Sequence, residues 1–177
     1  MTIPAEPTVV ADSTIAAYLS KGFFQLAYVT NNFEAAQVYF KEKMGVNKFM
    51  ILKDIAFDNQ LYMGKPSDAR INVALAGVGN IHIELIQPIS GANPYSSFLD
   101  KEFTLKLHHV GLKVDDWQEV ERDLKSANRE FAYSGNLGEA FIFGYLNMVE
   151  ELGHFIEFIW AGPEGQKVLD QVTSGNY

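Results

Sequence analysis

Two stretches of this chain repeat one layout, and that repeat constrains the fold more than any single residue does. Phe23-Phe24-Gln25-Leu26-Ala27-Tyr28-Val29-Thr30 is an apolar, strand-forming run with one polar residue, Gln25, near its start. Asn31-Asn32 and a helical pattern follow it. Leu107-His108-His109-Val110-Gly111-Leu112-Lys113-Val114 has the same character, carries His109 at the matching place, and runs into Asp115-Asp116 and a second helical pattern. Two strand–helix units with a polar residue at matching places point to an internal duplication whose halves each supply ligands to one site.

Composition narrows what that site can be. The chain has 177 residues, room for one domain or two small halves sharing a core, and is 47% apolar and 20% charged, the balance of an ordinary globular protein. A net charge of −8 with no basic cluster argues against nucleic acid or an anionic membrane as partner. The absence of cysteine removes disulfides, thiolate metal sites and thiol nucleophiles together. Any metal must be held by nitrogen and oxygen donors. No apolar run reaches the roughly 18 residues of a spanning helix, and the N-terminus lacks the basic and apolar segments of a signal peptide. The expected location is the cytoplasm.

Turn and cap chemistry sets the organisation. Residues 1–21 read as an N-terminal arm with Pro4 and Pro7, then a short helix capped by Asp12 or Ser13. A first module covers 22–88, a linker 89–104, a second module 105–161, and a C-terminal helix and tail 162–177. In the first module Asn31 or Asn32 caps a helix that Gly45 ends. Phe33, Ala36, Val38, Tyr39 and Phe40 line it. Residues 47–63 supply one strand and part of a second, joined around Asp58-Asn59. Gly77-Val78-Gly79-Asn80 makes a hairpin turn, and Pro88 is expected to end the strand that follows. In the second module Asp115 or Asp116 caps a helix with Trp117, Val120 and Leu124 as its stripe. Strands are expected at 130–134, 140–146 and 154–160. Each half thus reads as a strand, a helix and three further strands.

Strand side chains alternate between faces, so parity says which of them share a surface. Gln25, Glu84, His109 and Glu157 each sit on the face of their strand that opposes a fully apolar one. An ionised glutamate buried without a partner is costly, and two such glutamates repel each other. A divalent cation is the simplest way to hold all four on one concave surface. By the same parity His108 faces away from His109. His82 shares the face of Glu84 and could line the pocket, and His154 lies near the surface. Phe23, Phe49, Phe57, Tyr62, Phe141, Phe143 and Tyr145 are the supply of aromatic pocket walls.

The duplicated layout and these four positions resemble the vicinal oxygen chelate superfamily, which includes glyoxalase I, methylmalonyl-CoA epimerase, extradiol dioxygenases and antibiotic-resistance proteins. Ile83-Glu84-Leu85-Ile86-Gln87-Pro88 is similar to its fourth-strand motif, with a ligand four residues before a proline. Leu107-His108-His109-Val110-Gly111 is similar to its second-half opening, where the second histidine is the ligand. Gly153-His154-Phe155-Ile156-Glu157-Phe158 is similar to its last-strand glutamate motif. The resemblance spans about residues 22–161. It implies an α+β fold in which two βαβββ modules form a concave mixed sheet around one metal site. The implied ligand set is Gln25, Glu84, His109 and Glu157, around zinc, nickel, cobalt, manganese or iron(II). The epimerases usually carry histidine at the position of Gln25, and no clear glutathione-binding arginine stands in the chain; Arg70 is one candidate.

The expected activity is that of a metal-dependent isomerase, epimerase or lyase. It would move a proton next to a carbonyl, with Glu157 or Glu84 as base, in a small-molecule substrate with a bulky apolar or aromatic part. A homodimer is expected. An extradiol-type oxygenase needs two histidines and one carboxylate, and only His109 matches a ligand position. A metal-free module that sequesters an apolar ligand in the same concave surface is the alternative from a different class.

Overall fold

The computed structural model describes residues 13–177; the arm at 1–12 and the Asp12 cap lie outside the described residues. The elements are α1 (Ser13–Gly22), β1 (Phe23–Thr30), α2 (Phe33–Met44), β2 (Met50–Ala56), β3 (Asp58–Tyr62), β4 (Lys65–Pro66), β5 (Arg70–Val78), β6 (Ile81–Ser90), β7 (Leu105–Val114), α3 (Trp117–Ser126), β8 (Tyr133–Leu137), β9 (Phe141–Met148), α4 (Val149–Leu152), β10 (His154–Ala161) and α5 (Pro163–Ser174).

One ten-stranded sheet runs in the order β2-β5-β6-β1-β7-β10-β9-β8-β3-β4. The duplication is visible in the pairing. β1 is parallel to β6, with β5 and β2 added antiparallel. β7 is likewise parallel to β10, with β9 and β8 added antiparallel. The two modules meet where β1 and β7 pair antiparallel. The first module also carries β3 and β4, which have no counterpart in the second. They leave their own half and pair on β8 at the far edge. The chain crosses over at Phe57, whose ring packs on Phe143 with centroids 4.7 Å apart, one residue before the expected joint.

Local chemistry explains the element ends. The Asn32 side chain accepts from the Ala35 amide to cap α2, and Gly45 closes it at φ 72°, a conformation glycine adopts without a Cβ clash. Asp116 caps α3 in the same way through the Glu119 amide. On α2 only Phe33, Ala36 and Phe40 of the expected stripe are buried, while Val38 and Tyr39 are exposed, as a 3.6-residue period requires. β6 continues through Pro88 to Ser90, beyond the predicted stop. Its pairing with β1 ends at Ile86, so the missing Pro88 N–H breaks no bond on that side. The last strands are also displaced from expectation: β8 runs through the Gly135 region to Leu137, and the turn α4 separates β9 from β10.

Three clusters divide the core. Leu26, Tyr28, Ile83 and Leu85 pack under α2 with Phe33 and Phe40. Leu112, Ile156 and Phe158 pack under α1 and α3 with Ile15, Val120 and Leu124. The third cluster fills the concave face with Ala27, Val29, Ile71, Val73, Ile86, Tyr95, Tyr133, Phe143, Tyr145 and Phe155. It is closed from above by α5, whose Val172 belongs to it. Gly77 lets α5 come this near: a Cβ there would stand 2.4 Å from the Val172 carbonyl oxygen. Gly77→Ala should therefore push α5 off β5 and cost about 1–3 kcal/mol, the range of an overpacked contact. Urea unfolding with an unchanged m-value checks this.

Candidate active site

The sheet register lays the four predicted residues in two adjoining rows. His82, Gln25, Gly111, Glu157 and Tyr145 lie side by side across β6, β1, β7, β10 and β9. In the next row Leu75, Glu84, Ala27, His109 and Phe155 lie across β5, β6, β1, β7 and β10. The two-fold relation between modules is explicit here: Gln25 stands opposite Gly111, and His109 opposite Ala27. The two small residues make the room. A Cβ on Gly111 would lie 2.7 Å from Gln25 Oε1.

His109 is fully buried, with Nε2 3.3 Å from a Glu84 oxygen and 3.2 Å from a Glu157 oxygen. The two carboxylates are only 14% and 7% exposed. Neither oxygen lies along the Nε2–H direction, so Nε2 makes no formed hydrogen bond, and Gln25 Oε1 is likewise buried without one. The other nitrogen of His109 is fixed: its Nδ1 is 3.0 Å from Nδ1 of His108. Burial first, and then the charge of His109, hold His108 well below the usual histidine range. His108 is therefore neutral and able to accept the Nδ1–H of His109.

Parity misplaced His108. The β1–β7 register slips between Ala27 and Tyr28, leaving His108 as an extra residue on β7, a β-bulge. Its ring therefore lies on the concave side, stacked on Phe155 at 5.0 Å and beside Tyr95 at 4.7 Å. A second slip between Phe23 and Gln25 makes Phe24 the extra residue of β1. Phe24, not the exposed Phe23, lines the site with Gln25. Phe57, Phe141, Phe143 and Tyr145 also line it, whereas Phe49 packs under α2 and Tyr62 sits against Tyr133. His82 is buried, but its Nε2 is bonded to Thr173 Oγ1 of α5 at 2.8 Å, so it anchors the cover. His154 is partly buried, beside its own strand's backbone at Phe155 O. Arg70 is paired with Asp54 at 2.6 Å on the exposed sheet edge.

Two contributors escaped the sequence reading. Tyr95 comes from the 89–104 connection and is fully buried. The amides of Tyr95 and Ser96 both donate to Asn93 Oδ1, which turns it inward. Its hydroxyl is 3.0 Å from that of Tyr145. Burial above all raises both phenols well above their ordinary range, so both keep their protons. The second contributor is α5, which brings Val168 and Leu169 over the cleft. Asn93-Pro94 was the one available signal for Tyr95, as a turn that re-aims the chain.

The charges are unbalanced as they stand. Burial, opposed by His109, raises the Glu84 carboxyl above its usual value. Burial pulls His109 down, but the Glu157 carboxylate, helped by Glu84, outweighs it and holds the imidazole up at about 9. The donor set fits a divalent cation. Two oxygens and a nitrogen lie together with an orphaned amide oxygen in the neighbouring row, and the donors are of the hard and borderline type such ions take. Two ligands about 2.1 Å from one ion at right angles are about 3 Å apart, close to the spacings around Nε2. Among the described residues no three His, Cys, Asp or Glu side chains are placed to hold a metal ion together as the chain stands. His109 contacts each glutamate separately, and the fourth donor is an amide.

Residues 24–142 match the family model of the Glyoxalase/Bleomycin resistance protein/Dioxygenase superfamily. The chain belongs to that superfamily, as the paired modules led us to expect. Among solved structures, a methylmalonyl-CoA epimerase from Mycobacterium tuberculosis superposes with a TM-score of 0.58 at 16% identity, over 82% of this chain and 91% of that one. A Streptomyces coelicolor methylmalonyl-CoA epimerase in complex with 2-nitronate-propionyl-CoA gives 0.56 at 12%, over 80% and 98%. A hypothetical protein from Bacillus halodurans gives 0.56 at 15%, over 79% and 94%. At such identities the likeness is one of fold. No curated protein sequence matches the chain. Among the described residues no helix is long and apolar enough to cross a membrane.

The raised values of His109 and Glu84 predict how the metal-free protein responds to pH. Each group binds its proton more tightly folded than unfolded, so stability must fall as pH rises. For His109 the contribution is complete below its ordinary 6.5 and lost as pH climbs through about 9. Urea midpoints of protein stripped with chelator should drop between pH 6.5 and 9.5, and His109→Gln should flatten that drop. An equal slope in the variant would assign the effect elsewhere.

Proposed function

We propose that this protein is a metal-dependent enzyme that moves a proton on carbon next to a carbonyl, in the manner of an isomerase, epimerase or lyase. Gln25, Glu84, His109 and Glu157 are its metal ligands. The observation that carries this reading is a buried histidine whose Nε2 has a buried carboxylate on either side at 3.2 and 3.3 Å, with no formed hydrogen bond to either. The epimerase names of the structural neighbours support the reaction class.

A divalent metal bound there supplies a Lewis acid that polarises a substrate carbonyl and makes the neighbouring C–H more acidic. The chain does the rest. His108 holds His109 through the Nδ1–Nδ1 contact of 3.0 Å, which keeps the Nε2 lone pair facing the two glutamates, the outer-partner role that ligating histidines ordinarily require. Glu84, raised by its burial, is the base that takes the substrate proton, and Glu157 stands on the other side of His109 to serve the opposite face. Phe24, Phe143 and Tyr145 keep water from the reacting carbon. With one histidine at a ligand position, the set lacks the two imidazoles of an extradiol iron site.

One observation favours the metal-free alternative: a protonated His109 between Glu84 and Glu157 balances part of their charge without any ion. Metal analysis separates the two readings. Purified protein should carry close to one divalent ion per chain. Glu157→Gln and His109→Ala should each weaken its binding by at least about 100-fold, beyond the range of an outer partner, while His108→Leu should cost about 10–100-fold. Proton competition at His109 should make metal affinity rise up to about tenfold per pH unit below pH 9. In D2O a turning-over substrate should exchange hydrogen for deuterium at the carbon beside its carbonyl. Wild-type metal affinity in both ligand variants would refute the ligand set, and stoichiometric oxygen uptake would refute the reaction class.

A further inference from the structure

Resting on that reading of the site, we infer that the substrate is an uncharged, apolar carbonyl compound in the part that enters the cleft, and that the site rejects a carboxylate or phosphate there. The cleft has a volume of about 100 Å³, below the size of ordinary drug-sized ligand pockets, so it receives a small reacting group rather than a whole large molecule. Its polar lining residues are Gln25, Glu84, Glu157, Tyr95 and Tyr145; the rest is aliphatic or aromatic, and no Lys or Arg lines it among the described residues. Residues 1–12 bring Glu6 and Asp12 but no Lys, Arg or His side chain.

Two cations of the sheet are engaged away from the cleft. Arg70 is tied to Asp54, and Lys113 donates to Gln166 of α5. A divalent metal held by two glutamates leaves the centre neutral, so an anionic substrate group would make it negative inside an apolar enclosure. Nothing in the lining would compensate that charge. A carbonyl oxygen needs no such compensation. The hydroxyl pair suits it: Tyr95 and Tyr145 share one hydrogen between their oxygens at 3.0 Å, which leaves the second hydrogen of the pair for an acceptor. The cover is apolar as well, since α5 presents Val168 and Leu169 and is latched by the His82–Thr173 bond.

The test uses a matched pair of short thioesters of N-acetylcysteamine, the isobutyryl and the methylmalonyl compounds, which differ only in a methyl against a carboxylate. Calorimetric titration into the metal-loaded protein should show the isobutyryl compound binding at least tenfold more tightly. Ile159→Lys places a cation on the half-buried lining position two residues from Glu157, and should narrow or reverse that ratio while circular dichroism shows the fold retained. The wild-type ratio decides the matter alone if that variant does not fold. Equal or tighter binding of the carboxylate compound by the wild type overturns the inference, and so does binding of neither. Binding of the isobutyryl compound without deuterium exchange at its branched carbon would sink the proton-transfer reading and leave the ligand class standing.

Discussion

The antiparallel pairing of β1 with β7 is the constraint on which the site depends. It is where the two modules join, and it carries two register slips in related places, Phe24 on β1 and His108 on β7. A bulge puts two consecutive side chains on nearly the same side of a strand. At each slip one of the pair is a predicted ligand, Gln25 or His109, and the other is a ring that packs beside it. Opposite each ligand the partner strand offers only Gly111 or Ala27. Four polar groups gather over this seam because there is no side chain in the way. A β-branched residue at position 111 would collide with Gln25, and the arrangement would be lost at its centre.

The rest of the molecule encloses what the seam positions. Helices α1, α2 and α3 cover the convex face, so the apolar members of each strand are buried there. On the concave face β3 carries the sheet from one module to the far edge of the other, and α5 lies over the remaining opening. Glu84 and Glu157 are thus nearly dry. In that setting their repulsion is met in part by a proton on His109, and fully by a doubly charged ion. On the proposed reading, this enclosure is what would give the centre its affinity for a cation and its hostility to further negative charge, two consequences of one electrostatic condition.

Much of this was legible in the sequence because the signal is periodic. Alternation placed Leu26, Tyr28, Ile83, Leu85, Val110, Leu112, Ile156 and Phe158 under helices, and the structure has them there. It also put Gln25, Glu84, His109 and Glu157 on the opposite face. Alternation fails where the register slips, so His108 was assigned to the wrong side, and Phe23 was expected in the pocket wall where Phe24 stands. Pairing beyond the module was invisible for a different reason. Nothing local in Asp58–Tyr62 says that it will add to a strand some seventy residues later in the chain, and long-range partner choice is settled only by the assembled core. Tyr95 and α5 belong to the connections, where no periodic pattern operates. Pro88 misled because its cost depends on whether a neighbour is waiting for its N–H, which the chain alone does not show.

X-ray absorption spectroscopy of the cobalt(II)-loaded protein tests the central claim most directly, because it counts the ligands by type. The account predicts a site with a single imidazole and otherwise oxygen donors, and loss of the imidazole scattering in His109→Ala with its retention in His108→Leu. Two or more imidazoles, or cobalt that remains imidazole-ligated after His109 is removed, would contradict it.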